Sequence, residues 1–131
     1  MARSSSEHPT ELELEILKVL WQASPRTVEQ VREALVTAGR NLTHSSVITV
    51  MNIMVRKKYL VREKKGRSFE YRHLVGGKDV GRGLLNDLVQ RVFDGSAKAV
   101  VLELLETVDV DAGELAEIRR LINRAAKEGG S

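Results

Sequence analysis

No cysteine occurs in the 131 residues, which excludes disulfides, zinc-ribbon sites and thiol-based metal sensing. Long apolar runs are also missing. The longest are a few residues, far short of the ~18 needed to span a bilayer. The opening MARSSSEHPT has no apolar export segment. The expectation is therefore a cytoplasmic protein with no membrane insertion. There is no glycine-rich phosphate loop and no nucleophile–base set. His8 and His73 stand alone, without partners at metal-ligand spacing. The sequence thus points to no enzyme, no metal and no cofactor. Its acidic residues read as helix caps and solvent faces.

What is present is a hidden charge asymmetry. Residues 1–77 carry 13 Lys/Arg against 8 Asp/Glu, whereas residues 78–131 carry 8 against 10. Between Arg40 and Arg72 the count is 9 basic to 2 acidic. Clustering of this kind is the electrostatic footprint of a polyanion binder. Taken alone, a charge run is more simply a solvated face, so the surrounding pattern decides.

That pattern begins at Thr10, where Thr10 and Glu13 form a capping box for a helix carrying Leu14, Leu17 and Trp21. Pro25 stops it. A second box, Thr27 with Gln30, opens a short helix with Val28, Val31 and Leu35, and Gly39 marks the turn after it. A third helix starts at Thr43, with Val47, Val50, Met51 and Met54 as its buried stripe. Its other face shows Ser45, Ser46, Thr49, Asn52 and Arg56. Short hydrogen-bonding groups there suit close approach to base edges better than solubility.

After Lys58 the period changes to two. Two extended runs flank KKGR, with Gly66 as the turn residue and Phe69, Tyr71 and His73 as a core-facing side. Trp21, Phe69 and Tyr71 read as core rather than as a stacking platform. Lys57 and Lys58 read as solvent-facing. Three helices followed by a hairpin is the winged helix-turn-helix arrangement, the second and third helices forming the motif and the hairpin the wing.

VGGKDVGRG, with four glycines in residues 75–83, reads as a hinge. Beyond it come stripes on three helices: Leu85, Leu88, Val89 and Val92; Val100, Val101, Leu104, Leu105 and Val108, capped by Ser96; then Leu115, Ile118, Leu121 and Ile122, opened by an Asp111–Glu114 box. A unit this small is marginal alone. Leu85, Leu88, Val92, Val101, Leu104, Leu105, Ile118, Leu121 and Ile122 are therefore expected to pair with a second copy.

The expected organisation is mainly α with a small β-hairpin. It has a disordered arm (1–9), a winged-helix domain (10–75), a glycine-rich linker (76–83), a three-helix dimerisation domain (84–125) and a flexible tail (126–131).

TELELEILKVLW (10–21), TVEQVREAL (27–35), SVITVMNIMVRKKYLVREKKGRSFEYRHLV (46–75) and LVQRVFDGSAKAVVLELLETVDVDAGELAEIRRLI (88–122) resemble, in order and spacing, the penicillinase-repressor (BlaI/MecI/CopY) family. The resemblance implies a cytoplasmic homodimer, nucleoid-associated when DNA-bound, that represses transcription at dyad operators. It also implies, for the β-lactam branch, an upstream sensor-protease system. The chain departs from the family at Lys58, where a glycine is usual, and at Ile53, where many members carry arginine. The copper branch's C-terminal cysteines are absent. The cleaved Asn–Phe bond of some relatives falls on Glu103–Leu104.

On this reading His44, Ser45, Ser46, Thr49, Asn52 and Arg56 contact double-stranded DNA from the recognition helix. Thr27 and Arg40 hold phosphates, and Lys64, Lys65 and Arg67 work from the wing. The alternative reading is a winged helix that binds an acidic protein partner through the wing.

Overall fold

A computed structural model describes residues 8–129. The N-terminal arm expected over 1–9 therefore falls mostly outside the described residues. The chain divides into two compact units at Asn86/Asp87.

In the first unit, helices α1 (Glu11–Gln22), α2 (Val28–Thr37) and α3 (His44–Arg56) pack with strands β1 (Arg26–Thr27), β2 (Leu60–Lys65) and β3 (Ser68–His73). Both capping boxes form. Thr10 and Thr27 accept from the backbone N–H of Glu13 and Gln30, whose side chains return the bond. The sheet is antiparallel in the order β1-β3-β2, with Arg26 opposite Tyr71 and Arg62 also opposite Tyr71 from the other side.

Each helix contributes one stripe to the core. These are Ile16, Leu17 and Leu20 from α1; Val28, Val31 and Leu35 from α2; and Val47, Met51 and Met54 from α3. Tyr59, Leu60 and Tyr71 close it. Phe69 does not join them. It is exposed at the surface, and the Arg62 guanidinium lies 4.4 Å from its ring centroid. Only the root of the hairpin reaches the core, so alternation continues outward after its apolar partner has ended. Trp21 is half-buried, its indole N–H donating to the Val75 carbonyl at 2.9 Å.

Helix α3 ends in a Schellman motif. Tyr59 N–H donates to Met54 O at 2.9 Å, and Lys58 N–H to Val55 O at 3.1 Å. The motif places Lys58 at φ +71°, the left-handed region. A Cβ there costs about 1–2 kcal/mol, which glycine avoids. Lys58→Gly is thus expected to stabilise the fold by about 1 kcal/mol, net of the extra freedom glycine has when unfolded. Urea unfolding followed by Trp21, the sole tryptophan, checks this. An unchanged midpoint would mean that the left-handed turn carries no strain.

The glycine-rich segment is not a linker. Helix α4 runs Gly77–Val92 and takes in all but the first residue of the expected 76–83. Glycine weakens a helix by about 1 kcal/mol relative to alanine, but tertiary contacts compensate here. Val80 packs on the core, and Gly77 lies against the Trp21 ring, where even a Cβ would meet it at ordinary contact distance, 3.4 Å.

The division between units falls inside α4. The second unit continues with α5 (Ala97–Thr107) and α6 (Ala112–Gly129). Ser96 caps α5 and Asp111 accepts from Glu114 N–H at the start of α6. Helix α6 continues to Gly129, so the expected flexible tail is helical as far as it is described. No described residue beyond Tyr71 is buried. No helix among the described residues is long and apolar enough to cross a membrane.

Candidate nucleic-acid interface

Helix α3 owes its start to Thr43, whose hydroxyl accepts from Ser46 N–H at 3.1 Å and donates to Ser46 Oγ at 3.0 Å. Ser46 Oγ is therefore an acceptor inside the protein, and its own proton is left to donate outward. Thr49 does the reverse. Its hydroxyl donates to Ser45 O at 2.8 Å, leaving lone pairs and a methyl group facing solvent. His44, Ser45, Ser46, Thr49 and Arg56 are all exposed. Ser45, Thr49 and Arg56 lie at i, i+4 and i+11 on one ridge, which at 1.5 Å per residue is about 16 Å long. A ridge of small groups with one cation at its far end fits a groove ~12 Å wide.

The wing rises beside it. Gly66, at φ +63°, makes the turn, and Lys64, Lys65 and Arg67 are exposed around it. Along β2 the side facing α3 grades from apolar to charged. Leu60 is buried, Arg62 meets the helix through hydrogen bonding, and Lys64 is exposed.

Some of the residues expected to act together do converge. Thr27, His44 and Arg67, drawn from three separate stretches, line one cleft of about 350 Å³, together with Glu29 and with Ile48, Phe69 and Tyr71. Thr27 is a cap first, since its oxygen accepts from Gln30 N–H at 3.2 Å. Its hydroxyl proton remains for an anion, so the two roles are compatible.

Two expected contacts are differently engaged. Arg40 Nε lies 3.2 Å from Glu15 Oε1, a charge contact not aligned as a hydrogen bond. It borders a different cleft, between α1 and α2. Asn52 is half-buried, and its Oδ1 accepts from both Arg62 Nη1 and Tyr71 Oη, each at 3.0 Å. Lys57 is exposed, as expected, and its Nζ also reaches the buried carboxylate of Glu13, Oε2 at 2.8 Å.

Sequence reasoning missed Arg62, Ile48 and Phe69. Period-two alternation already places Arg62 on the same face as Leu60 and Lys64, so that signal was available. The partners of Asn52, 10 and 19 residues away, were not visible.

Comparison with known proteins agrees with this architecture. The family described as penicillinase repressor matches residues 9–124. The transcriptional regulator BlaI of Mycobacterium tuberculosis is 30% identical over 106 residues, covering 79% of this chain and 76% of that protein. The penicillinase repressor of Bacillus licheniformis is 25% identical over 86% of this chain and 88% of its own length. The methicillin resistance regulatory protein MecI of Staphylococcus aureus is 20% identical over 86% and 90%. A homodimeric winged helix-turn-helix DNA-binding domain from Mycobacterium bovis aligns with 70% of the chain and 75% of its own at a TM-score of 0.46 and 24% identity, too loose a match to carry an argument. The match of the whole helix-turn-helix, wing and C-terminal helices to one family, over nearly the full chain, establishes that this protein belongs to the penicillinase repressor family, whose members are transcriptional repressors rather than enzymes.

Proposed function

We propose that the protein is a sequence-specific DNA-binding repressor that acts as a homodimer on a two-fold operator. The observation that carries this reading is the exposed ridge of Ser45, Ser46 and Thr49 on α3, set beside the cationic wing. In this reading Ser46 and Thr49 face base edges from the major groove, the first as donor, the second through its methyl and lone pairs. Thr27, His44 and Arg56 flank the helix toward phosphates, and Lys64, Lys65 and Arg67 add sequence-independent attraction. Two copies would present their α3 helices one DNA turn apart, about 34–36 Å. An acidic protein partner would use the wing but has no need of the Ser/Thr ridge. Release by a sensor-protease system belongs to the same proposal, but not by cutting at Glu103–Leu104, where the relatives' Asn–Phe pair is replaced.

In vitro selection of bound duplexes, followed by titration at several salt concentrations, tests the reading. A dyad sequence should be enriched. Thr49→Ala should lose about 1 kcal/mol of discrimination at one base pair per half-site. Replacing Lys64, Lys65 and Arg67 by alanine should weaken binding to all sequences alike and lower the salt slope by up to about 3 per copy. Selection that enriches nothing would overturn the proposal.

A further inference from the structure

We infer that Asn52 is a strut between the recognition helix and the wing, a positioning residue that acts through the wing cations rather than by reading a base. The inference rests on the DNA-binding reading above and deepens it. An amide oxygen has two lone pairs. In Asn52 both are occupied, by the Tyr71 hydroxyl and by the Arg62 guanidinium, each at 3.0 Å. Bidentate recognition of adenine needs that same oxygen as the acceptor for the base's amino group. It would therefore have to displace one or both internal donors, and the hydroxyl of Tyr71, 1% exposed, has little access to water.

The two donors are not independent. Arg62 and Tyr71 face each other directly across β2 and β3. Arg62 is further held over the Phe69 ring, 4.4 Å from its centroid. One atom of α3 thus grips both strands of the hairpin at the same level. Its position along the wing gives the grip its consequence. β1 supports β3 only at Glu70 and Tyr71, and no residue from Arg62 to Phe69 is buried. A two-stranded ribbon is marginal in water without a further strand or packed face. Among the described residues the Asn52 bonds are the outermost side-chain hydrogen bonds between α3 and the hairpin's two strands, so they help set where Lys64, Lys65 and Arg67 lie relative to the Ser/Thr ridge.

The test is a mutant cycle in the full-length protein. Asn52→Ala and Tyr71→Phe are each compared with the wild type and combined with alanines at Lys64, Lys65 and Arg67. Tyr71→Phe matters because a buried residue cannot touch DNA itself. Both single changes are expected to weaken binding to the selected operator and to an unrelated duplex by the same factor, roughly tenfold, leaving their ratio intact. In the wing-neutral background Asn52→Ala should then change affinity less than about twofold, because contacts that act through one unit are not additive. A loss that persists there and is confined to one base pair would make Asn52 a base reader and overturn the inference. Amide hydrogen exchange of the free protein provides an arm independent of DNA. Both variants should exchange faster over residues 62–69, with the helical core unchanged. Wild-type protection in Asn52→Ala would also overturn the strut. A wild-type protein that shows no sequence preference would sink the operator reading, while the exchange experiment would still decide the strut.

Discussion

Aspartates at Leu104 and Ile122 are expected to make the protein monomeric and to weaken operator binding by at least about 100-fold, the advantage lost when two linked half-sites become independent. The reason lies in what the second unit fails to bury. Leu88, Val92, Val101, Leu102, Leu104, Leu105, Val108, Leu115, Leu121 and Ile122 are each 37–63% exposed. Fully burying such a side chain yields about 1.5–3 kcal/mol, so covering the remaining half yields about 1 each, or roughly 10 kcal/mol per copy. Two copies covering each other would gain about 20 kcal/mol, enough to exceed an association cost of about 4–15 kcal/mol. Leu104 and Ile122 both line an apolar groove of about 270 Å³ between α5 and α6, with Val101, Leu105, Leu115 and Ile118. Charges there would have to be desolvated at several kcal/mol apiece. The first unit keeps its own core, so the Trp21 unfolding transition of residues 8–86 should survive the substitutions. Sedimentation decides the matter: a double variant as dimeric as the wild type, or a wild type that is monomeric at micromolar concentration, would refute the dimer.

How much of this was readable in the chain differs by kind of interaction. The capping boxes at Thr10 and Thr27, the Thr43 cap and the stripes of α2 and α3 are local, three to four residues apart, and appear as the sequence pattern implies, whereas α1 buries Ile16, Leu17 and Leu20 and leaves Leu14 and Trp21 only partly covered. The left-handed turn at Lys58 was legible only through the resemblance, since lysine itself does not signal it. The segment 76–83 failed because glycine content reports propensity, whereas its helix is held by Val80 on the core and by Trp21 against Gly77. At the candidate interface, exposure of the Ser/Thr ridge followed from helical period. What the period cannot show is that Arg40 has Glu15 beside it, that exposed Lys57 pairs with Glu13, or that Asn52 faces the hairpin. Polar residues look alike from the sequence whether their partner is water, DNA or a side chain brought close by folding.

Glu13 supplies the largest expected stability effect of that hidden kind. Its side chain is 4% exposed and each oxygen has a separate task. One accepts from Thr10 N–H at 2.9 Å and closes the α1 cap, and the other accepts from Lys57 Nζ at 2.8 Å, 44 residues away at the end of α3. Glu13→Ala removes both, pinning neither the start of α1 nor the end of the recognition helix. Breaking a fully buried pair costs about 3–5 kcal/mol. Lys57 is 34% exposed and also lies 5.8 Å from the Tyr59 ring centroid, so its ammonium has water and a ring to turn to. Screening and that escape reduce the cost to roughly 2–3 kcal/mol. Glu13→Gln keeps the oxygen that closes the capping box but puts an amide NH2, a donor, where Lys57 Nζ had its acceptor, so it should cost less than alanine while still losing the ion pair. In urea the order of midpoints should be wild type, Gln, then Ala. For a first unit of this size the alanine variant should melt about 10–20 °C lower. An alanine variant within about 0.5 kcal/mol of the wild type would show that the pair behaves as an exposed one, despite the burial of its carboxylate.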